Sequence, residues 1–224
     1  MTGGAWIDLS HRLVDDMPRV STFPPPRYTR FLSMPEAPLN VTHVDMVCHV
    51  GTHVDAPCHF IEGAPAIDEL PLERFTGPGI VCRAKAGADE LIGIDGVAGR
   101  ERIESGDIVV LDTGYARHFG TPAYDRHPAL STQLAHWFVE RGVKLVAVDM
   151  PTPDLAVAAR PAGFDWPVHK ILLGAGVLIA EHVTNLSELS GKRIEAMFAP
   201  LRIAGADGAP VRALARLADQ GSTT

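Results

Sequence analysis

Short apolar runs recur along the chain and are separated by turn residues. The runs at residues 7–9, 41–50, 79–84 and 107–112 are bounded by Gly, Pro, Ser or Asp, and the longest is rich in β-branched residues. This pattern is typical of short strands. Residues 17–26 differ, because three consecutive prolines remove three backbone donors. We therefore expect several strands, with an irregular surface loop at residues 17–26.

From residue 131 onward the apolar spacing becomes helical. A helix is expected to begin after Ser131 and to end at Gly142, with apolar positions at Leu134, Ala135, Phe138 and Val139. A second, short helix is expected near residue 167, with Asp165 as its N-cap and Pro167 in its first turn. Strands are expected on either side of it, at residues 143–148 and 177–183. The alternation of strands and helices predicts an α/β fold.

Composition limits the class of protein. The chain has 224 residues, 46% of them apolar and 21% charged, which favours one globular domain over residues 1–224. The formal charge is −7, and the longest basic cluster is the pair Lys192-Arg193. Nucleic acid and anionic membrane surfaces are therefore not expected as partners. We predict instead a small-molecule substrate.

The sequence also predicts a location in the cell. It holds no run of roughly 18 apolar residues, the length needed to span a bilayer. Its first ten residues lack the basic and apolar segments of a signal peptide. Three cysteines are an odd number for a disulfide framework and suit a reducing compartment. A cytoplasmic protein is expected.

Three of the ten histidines fall within residues 49–59. His49, His53 and Asp55 offer two imidazole nitrogens and one carboxylate, a ligand set that favours Zn²⁺ or Mn²⁺. On a strand they would share one face, but His49 and His53 would lie ~13 Å apart, too far for one metal. The chain must therefore bend between them, and Gly51 permits a bend. We expect the ligands to lie on a kinked strand or loop.

His59 follows the same segment after Pro57. A histidine near a metal but not bound to it has a pKa suited to general acid–base catalysis. Two other interpretations stay open: a solvated loop, or a structural metal site that uses Cys48 and Cys58. Adjacent residues on an extended chain point to opposite faces, which argues against a cysteine sharing a metal with its neighbouring histidine.

A second candidate site lies near the C-terminus. Glu181 interrupts an apolar strand, where a buried carboxylate is costly unless it is paired or binds a metal. The alternative is that Glu181 faces solvent. His169 precedes it by one helix and turn, and the polar strand end at residues 149–154 lies where α/β proteins tend to place their sites.

The segment His49-Val-Gly-Thr-His53-Val-Asp55-Ala-Pro-Cys-His59-Phe resembles the signature of the metal-dependent cyclase family, which includes bacterial kynurenine formamidases (arylformamidases) and isatin hydrolases. The resemblance extends to the opening Ile-Asp-Leu-Ser, to the strand at residue 107, to residues 148–154 and to the spacing of His169 and Glu181. It implies a single swivelling β/β/α domain with a barrel-like mixed sheet flanked by helices, assembled into homodimers or homotetramers.

The resemblance also implies roles for residues. His49, His53 and Asp55 would bind one metal ion, and Asp55 would bridge to a second ion held by His169 and Glu181. His59 would be the catalytic acid/base. The expected cofactor is thus zinc or manganese, one or two ions per subunit.

The expected activity is that of a metal-dependent amidohydrolase acting on an N-formyl aryl amine such as N-formylkynurenine. The alternatives are a cyclic amide hydrolase of the isatin hydrolase kind, a cyclase, dehydratase or lactone-opening enzyme, and a non-catalytic metal-binding domain. The loop at residues 17–26 departs from the aromatic, Gly-Asp-containing stretch of the formamidases. Within this loop, Phe23 and Arg19 are the candidates for lining the substrate pocket.

Overall fold

Fourteen strands and two α-helices make up the computed structural model, which describes residues 4–218. The strands are β1 (Ile7–Asp8), β2 (Arg27–Leu32), β3 (Val41–Asp45), β4 (His53–Asp55), β5 (Thr76–Ala84), β6 (Leu91–Ile92), β7 (Val97–Ala98), β8 (Ile108–Asp112), β9 (Ala129–Leu130), β10 (Leu145–Val148), β11 (Leu178–Glu181), β12 (Arg193–Met197), β13 (Gly208–Pro210) and β14 (Leu214–Leu217). The α-helices are α1 (Thr132–Glu140) and α2 (Pro167–Gly174). Short 3-10 helices lie at Pro57–His59, Ile67–Glu69, Leu72–Arg74, Ile94–Gly96, Arg100–Arg102, Tyr115–His118, Pro122–Arg126 and Val157–Ala159.

Ten strands form one mixed sheet. Its order is β1-β14-β12-β5-β8-β10-β11-β4-β13, with β7 paired to β5. Strands β5, β8, β10 and β11 are parallel neighbours, whereas the outer pairs are antiparallel. Ser10, just after β1, forms a bridge with Val183, just after β11. The segment after β1, at one end of the strand order, therefore contacts the segment after β11, near the other end. The sheet thus curls like part of a barrel, as predicted.

The curled sheet carries an apolar core on each face. Successive side chains of a strand point to opposite faces, so in β8 Ile108 and Val110 join one core while Val109 and Leu111 join the other. Phe138 of α1 and Leu172 of α2 belong to the second core. The helices therefore cover one face, and the central strands are buried on both, which explains their continuous apolar runs. The predicted α/β class is confirmed.

The two helices begin differently. Ser131 caps α1 as predicted, because its side chain accepts a hydrogen bond from Leu134 N at 3.1 Å. The prediction that Asp165 caps α2 is wrong. Trp166, with φ +53°, precedes the helix, and the carboxylate of Asp154 accepts hydrogen bonds from the first-turn amides instead. A residue distant in the chain thus satisfies donors that a local cap would otherwise satisfy.

The strand predicted at residues 41–50 is shorter than expected. Only Val41–Asp45 forms β3, which pairs with β2 in a hairpin apart from the main sheet. His49 lies in the turn that follows. Residues 17–26 are irregular, as predicted, but Met17 is buried. No helix in the described part of the chain combines the length and hydrophobicity needed to cross a bilayer.

Candidate metal centre

The predicted bend between His49 and His53 lies at Gly51. This glycine has φ +69°, a conformation that other residues rarely adopt. A Cβ atom there would lie 2.7 Å from Met17 Cε and 2.8 Å from Leu13 Cδ2. After the bend, His53 and Asp55 are the two ends of β4 and share one face, as predicted. Strand β4 pairs with β11, so that His53 is opposite Glu181.

The structure brings five predicted ligands into one cluster. Asp55 Oδ1 lies 2.8 Å from His49 Nδ1 and 3.3 Å from His53 Nε2. Asp55 Oδ2 lies 3.6 Å from His169 Nε2. Glu181 Oε1 is 3.3 Å from His169 Nε2, and its Oε2 is 3.4 Å from His53 Nε2. Two carboxylates are therefore interleaved with three imidazoles.

Three atoms of the cluster are buried without a hydrogen-bond partner. They are His53 Nε2, Asp55 Oδ2 and Glu181 Oε1, and Glu181 is only 7% exposed. The alternative that Glu181 faces solvent is therefore wrong. An unsatisfied buried polar atom costs about 1–3 kcal/mol, more when charged. Divalent cations bound in the cluster would satisfy these atoms, since imidazole nitrogen and carboxylate oxygen are ligands of zinc and manganese.

Several groupings of these side chains have ligand atoms close enough to hold an ion. In each grouping the atoms lie within 4.8 Å of one another: His49, Asp55 and His59; His53, Glu181 and His182; Asp55, His169 and Glu181. No cysteine belongs to these groupings among the described residues, so the proposed use of Cys48 and Cys58 as ligands finds no support. Cys58 Sγ instead faces the carbonyl of Ala206, and Cys82 lies in the core.

The carboxylates and imidazoles of the cluster shift one another's pKa values. Burial opposes ionisation of Asp55, but its contacts with the imidazoles of His169, His49 and His53 hold its pKa well below the ordinary range. Against burial, contacts with Asp55 and Asp207 raise the pKa of His49 to about 9. Burial and the charge of Asp55 raise the pKa of Glu181. The two carboxylates thus favour positive charge in the site. Protons on the imidazoles provide this charge in the metal-free protein, and a bound cation would replace them.

Hydrogen bonds orient two of the imidazoles. His53 Nδ1 lies 2.7 Å from the carbonyl of Gly51, which can only accept. His169 Nδ1 lies 2.6 Å from Asp154 Oδ2. With protons on these Nδ1 atoms, each Nε2 faces the cluster and would be the atom that binds a metal, the arrangement common among metal-binding histidines. Of the polar strand end at residues 149–154, Asp154 is the residue that serves the site. Sequence analysis indicated the segment but not the residue.

His59 lies at the edge of the cluster, on the 3-10 helix Pro57–His59. Its side chain is 23% exposed, and its ring stacks on that of His49 with centroids 3.9 Å apart. Burial lowers its pKa, so at neutral pH it is uncharged and able to accept a proton. Its Nδ1 lies 3.1 Å from Asp207 Oδ2. Sequence analysis missed Asp207, because no local pattern distinguishes it.

His182, which had no predicted role, is also buried beside the cluster. Its backbone has φ +58°, and its Nδ1 lies 2.9 Å from the hydroxyl of Tyr124. Burial lowers its pKa well below the ordinary range, so the ring is neutral. The signal in the sequence was its position next to Glu181.

Phe23 and Arg19 lie outside this cluster of contacts. The Arg19 side chain is exposed and its Nε donates to the carbonyl of Phe23 at 3.2 Å. Their loop approaches the site at Met17, which packs against Gly51. A role for either residue in substrate binding stays a prediction.

The chain is similar over most of its length to several known proteins. The chain is 32% identical to a kynurenine formamidase of Geobacillus thermodenitrificans, over 94% of this chain and 97% of the relative. It is 33% identical to a kynurenine formamidase of Salinibacter ruber, over 81% and 82%. Among solved structures, isatin hydrolase A from Ralstonia solanacearum superposes with a TM-score of 0.84 at 25% identity, over 96% of this chain and 92% of that one.

The family comparison bears directly on the resemblance first seen in the histidine segment. A family model named Cyclase, with the description "Putative cyclase", matches residues 7–155 and so includes His49, His53, Asp55 and His59. The chain belongs to this cyclase family.

Proposed function

We propose that the protein is a metal-dependent amidohydrolase that cleaves a carbon–nitrogen bond of a small amide such as an N-formyl aryl amine. The observation that carries the proposal is the set of three buried, unpartnered ligand atoms, on His53, Asp55 and Glu181. Relatives named kynurenine formamidase and neighbours named isatin hydrolase support amide hydrolysis. N-formylkynurenine is the proposed substrate.

The arrangement of Asp55 supports two metal ions, zinc or manganese. Its Oδ1 lies between His49 and His53, whereas its Oδ2 faces His169. One ion would be held by His49, His53 and Asp55, and a second by Asp55, His169 and Glu181. When bound, a divalent ion supplies a Lewis acid for the amide carbonyl and lowers the pKa of water toward ~7.

The chain's own residues then handle protons and substrate. His59 is neutral at pH 7 and would accept the proton of the attacking water, then return it to the leaving nitrogen. The side chain of His59 is 23% exposed, so its ring is accessible to a ligand from solvent. His53 and Asp55 are deeply buried, so bulk water does not reach the charged groups on their side of the cluster, away from His59.

Aromatic side chains beside the site support an aryl substrate. The ring of Phe60 lies 4.6 Å from that of His169 and 6.0 Å from that of Trp166. Trp166 is 37% exposed, so part of this aromatic group is accessible to a ligand. Offset or edge contacts between aromatic rings contribute about 0.5–1.5 kcal/mol each. Phe23 and Arg19 are proposed as further pocket residues from the loop at 17–26.

A cyclic amide is the second candidate substrate, favoured by the superposition on isatin hydrolase A. We further propose a cytoplasmic homodimer or homotetramer without nucleic-acid or membrane partners. The negative formal charge supports the lack of such partners. Exposed apolar residues on and beside the β2–β3 hairpin, including Phe31 and Val44, support contact with a second copy.

The test is a turnover assay with zinc- or manganese-loaded protein on N-formylkynurenine, isatin and a set of lactones, together with elemental analysis. Hydrolysis of an amide is expected. His59→Ala should keep its metal and lose most turnover, since only the proton acceptor is removed. Asp55→Ala should lose both metal and turnover.

Two outcomes would contradict the proposal. Turnover of lactones alone would favour a lactone-opening enzyme, and metal binding without turnover of any substrate would favour a non-catalytic domain. Wild-type activity in His59→Ala would remove His59 from the mechanism.

A further inference from the structure

The carboxylate of Asp207 contacts two histidines of the site at once. Asp207 Oδ2 lies 3.0 Å from His49 Nε2 and 3.1 Å from His59 Nδ1. The two rings are nearly parallel, with an interplanar angle of 19°. Both nitrogens therefore reach one oxygen from neighbouring, stacked positions.

The backbone fixes Asp207 in this place. Its carbonyl accepts a hydrogen bond from Ala56 N at 2.9 Å, directly after the ligand strand β4. The next residue, Gly208, begins β13 and pairs with Asp55. A Cβ atom at Gly208 would lie 2.8 Å from His49 Cε1, so glycine allows the ring to lie against the strand. Asp207 is thus held in register with the ligands of β4.

The contacts decide which ring nitrogens carry protons. A carboxylate oxygen only accepts, so each contact places a hydrogen on the histidine nitrogen. For His59 this hydrogen is on Nδ1, which leaves the lone pair on Nε2. For His49 it is on Nε2, while Nδ1, 2.8 Å from Asp55 Oδ1, carries a second hydrogen in the metal-free protein. A metal ion held by Asp55 would displace the hydrogen on Nδ1, and Asp207 would hold the remaining hydrogen on Nε2. With the metal bound, His59 would present Nε2 to accept a proton, and His49 would present Nδ1 as a ligand.

We propose that Asp207 is a positioning residue that sets the tautomers of His59 and His49 together, preparing a proton acceptor and a metal ligand with one carboxylate. This role rests on the proposed function and adds a residue that is remote from the histidine segment in the sequence. Carboxylates that orient a catalytic or metal-binding histidine act in this way in other enzymes. Asp207 itself does not touch the reacting atoms.

The variant that tests this role is Asp207→Ala. The Asp207 side chain is 49% exposed, so its removal leaves no buried cavity. Asp207→Asn keeps an accepting oxygen without the charge and should recover part of each effect. Asp68→Ala is the matched control, because Asp68 accepts a hydrogen bond from Gly205 N in the same loop but touches neither histidine in the contacts described.

Three measurements are needed. Long-range ¹H–¹⁵N NMR of metal-free protein, in mildly alkaline buffer where His59 is neutral, reports its tautomer. Chelator competition reports zinc affinity, and steady-state kinetics separate kcat from KM. In Asp207→Ala we expect His59 to lose its Nδ1–H preference, zinc affinity to fall by on the order of 10- to 100-fold, and kcat to fall by at least about tenfold with little change in KM.

The outcomes separate this inference from the proposed function. An unchanged His59 tautomer and unchanged zinc affinity in Asp207→Ala would overturn the positioning role, whatever the activity. If wild-type protein hydrolyses no amide but Asp207→Ala alters the tautomer and zinc affinity as expected, the proposed function fails and the positioning role stands. Equal effects from Asp68→Ala would show that loop disturbance, not the carboxylate, is responsible and would also overturn it.

Discussion

Asp154 links the stability of helix α2 to the orientation of a candidate metal ligand. One carboxylate oxygen accepts from Val168 N at 3.1 Å. The other accepts from His169 N at 3.0 Å and faces His169 Nδ1 at 2.6 Å. Asp154 is 1% exposed and His169 4% exposed, so water cannot replace these bonds. Substitution of Asp154 should therefore affect both folding and metal binding.

The magnitude follows from the number of bonds lost. Asp154→Ala leaves two buried amides and one ring nitrogen without an acceptor, and each unsatisfied donor costs about 1–3 kcal/mol. We expect a loss of about 3 kcal/mol in the free energy of unfolding of metal-free protein. For a chain of this size that lowers Tm by about 6–12 °C. Asp154→Asn should cost about 1 kcal/mol, because its amide oxygen can still accept.

Metal binding should respond differently. In Asp154→Asn the amide nitrogen can donate to His169 Nδ1, which moves the ring proton to Nε2, the atom that faces Asp55 and Glu181. We expect a loss of zinc affinity of on the order of 10- to 100-fold despite the small change in stability.

The assay combines calorimetric unfolding of metal-free protein with zinc competition titration. Asp165→Asn is the control, since Asp165 contacts only the exposed Lys170 among the described side chains and should change stability by less than about 0.5 kcal/mol. Wild-type zinc affinity in Asp154→Asn would refute the argument about the His169 tautomer. An unchanged Tm in Asp154→Ala would refute the argument about the helix.

Two further predictions concern proton competition and the bend in the ligand segment. Because the pKa of His49 is raised to about 9, its proton competes with the metal below that pH, and zinc affinity should fall by about tenfold per pH unit for each proton displaced as the pH is lowered. Zinc titrations between pH 7 and about pH 9, with calorimetry in two buffers to count the released protons, check this prediction. A pH-independent zinc affinity would contradict it. Gly51→Ala should lower the free energy of unfolding by at least about 1–2 kcal/mol because of the positive φ, and by more because the added methyl displaces Met17 and Leu13. Gly63→Ala is the control for the backbone contribution alone, since Gly63 has φ +74° and no atom within 4 Å of the added methyl. Equal thermal destabilisation of the two variants would show that the contacts at Gly51 contribute nothing.

Several features of the fold could be predicted because the residues that signal them are close together in the sequence. The apolar runs of β8 and β10 arise from burial on both faces. The start of α1 depends on Ser131, which is adjacent in sequence to the helix it caps. The bend at Gly51 followed from the distance that a straight strand would impose between His49 and His53. In each case the deciding residues lie within a few positions of one another.

The prediction for α2 failed for the opposite reason. Asp165 has the right residue type and position for a local N-cap, but Trp166 adopts a left-handed conformation and Asp154 reaches the first turn from beyond a loop. Likewise, residues 41–45 leave the main sheet to pair with β2, a choice that depends on available strand edges rather than on residue propensity.

The sequence by itself determined the chemistry of the site: the types of ligand, the three histidines and one aspartate within residues 49–59, and the candidate pair His169 and Glu181. The tertiary structure decided which residues distant in the chain lie beside these side chains. Antiparallel pairing of β4 with β11 places Glu181 opposite His53, and pairing with β13 brings Asp207 to His49 and His59. These partners are more than 100 residues apart in the chain, and only sheet register, which is set by the whole pattern of buried faces, brings them within hydrogen-bonding distance.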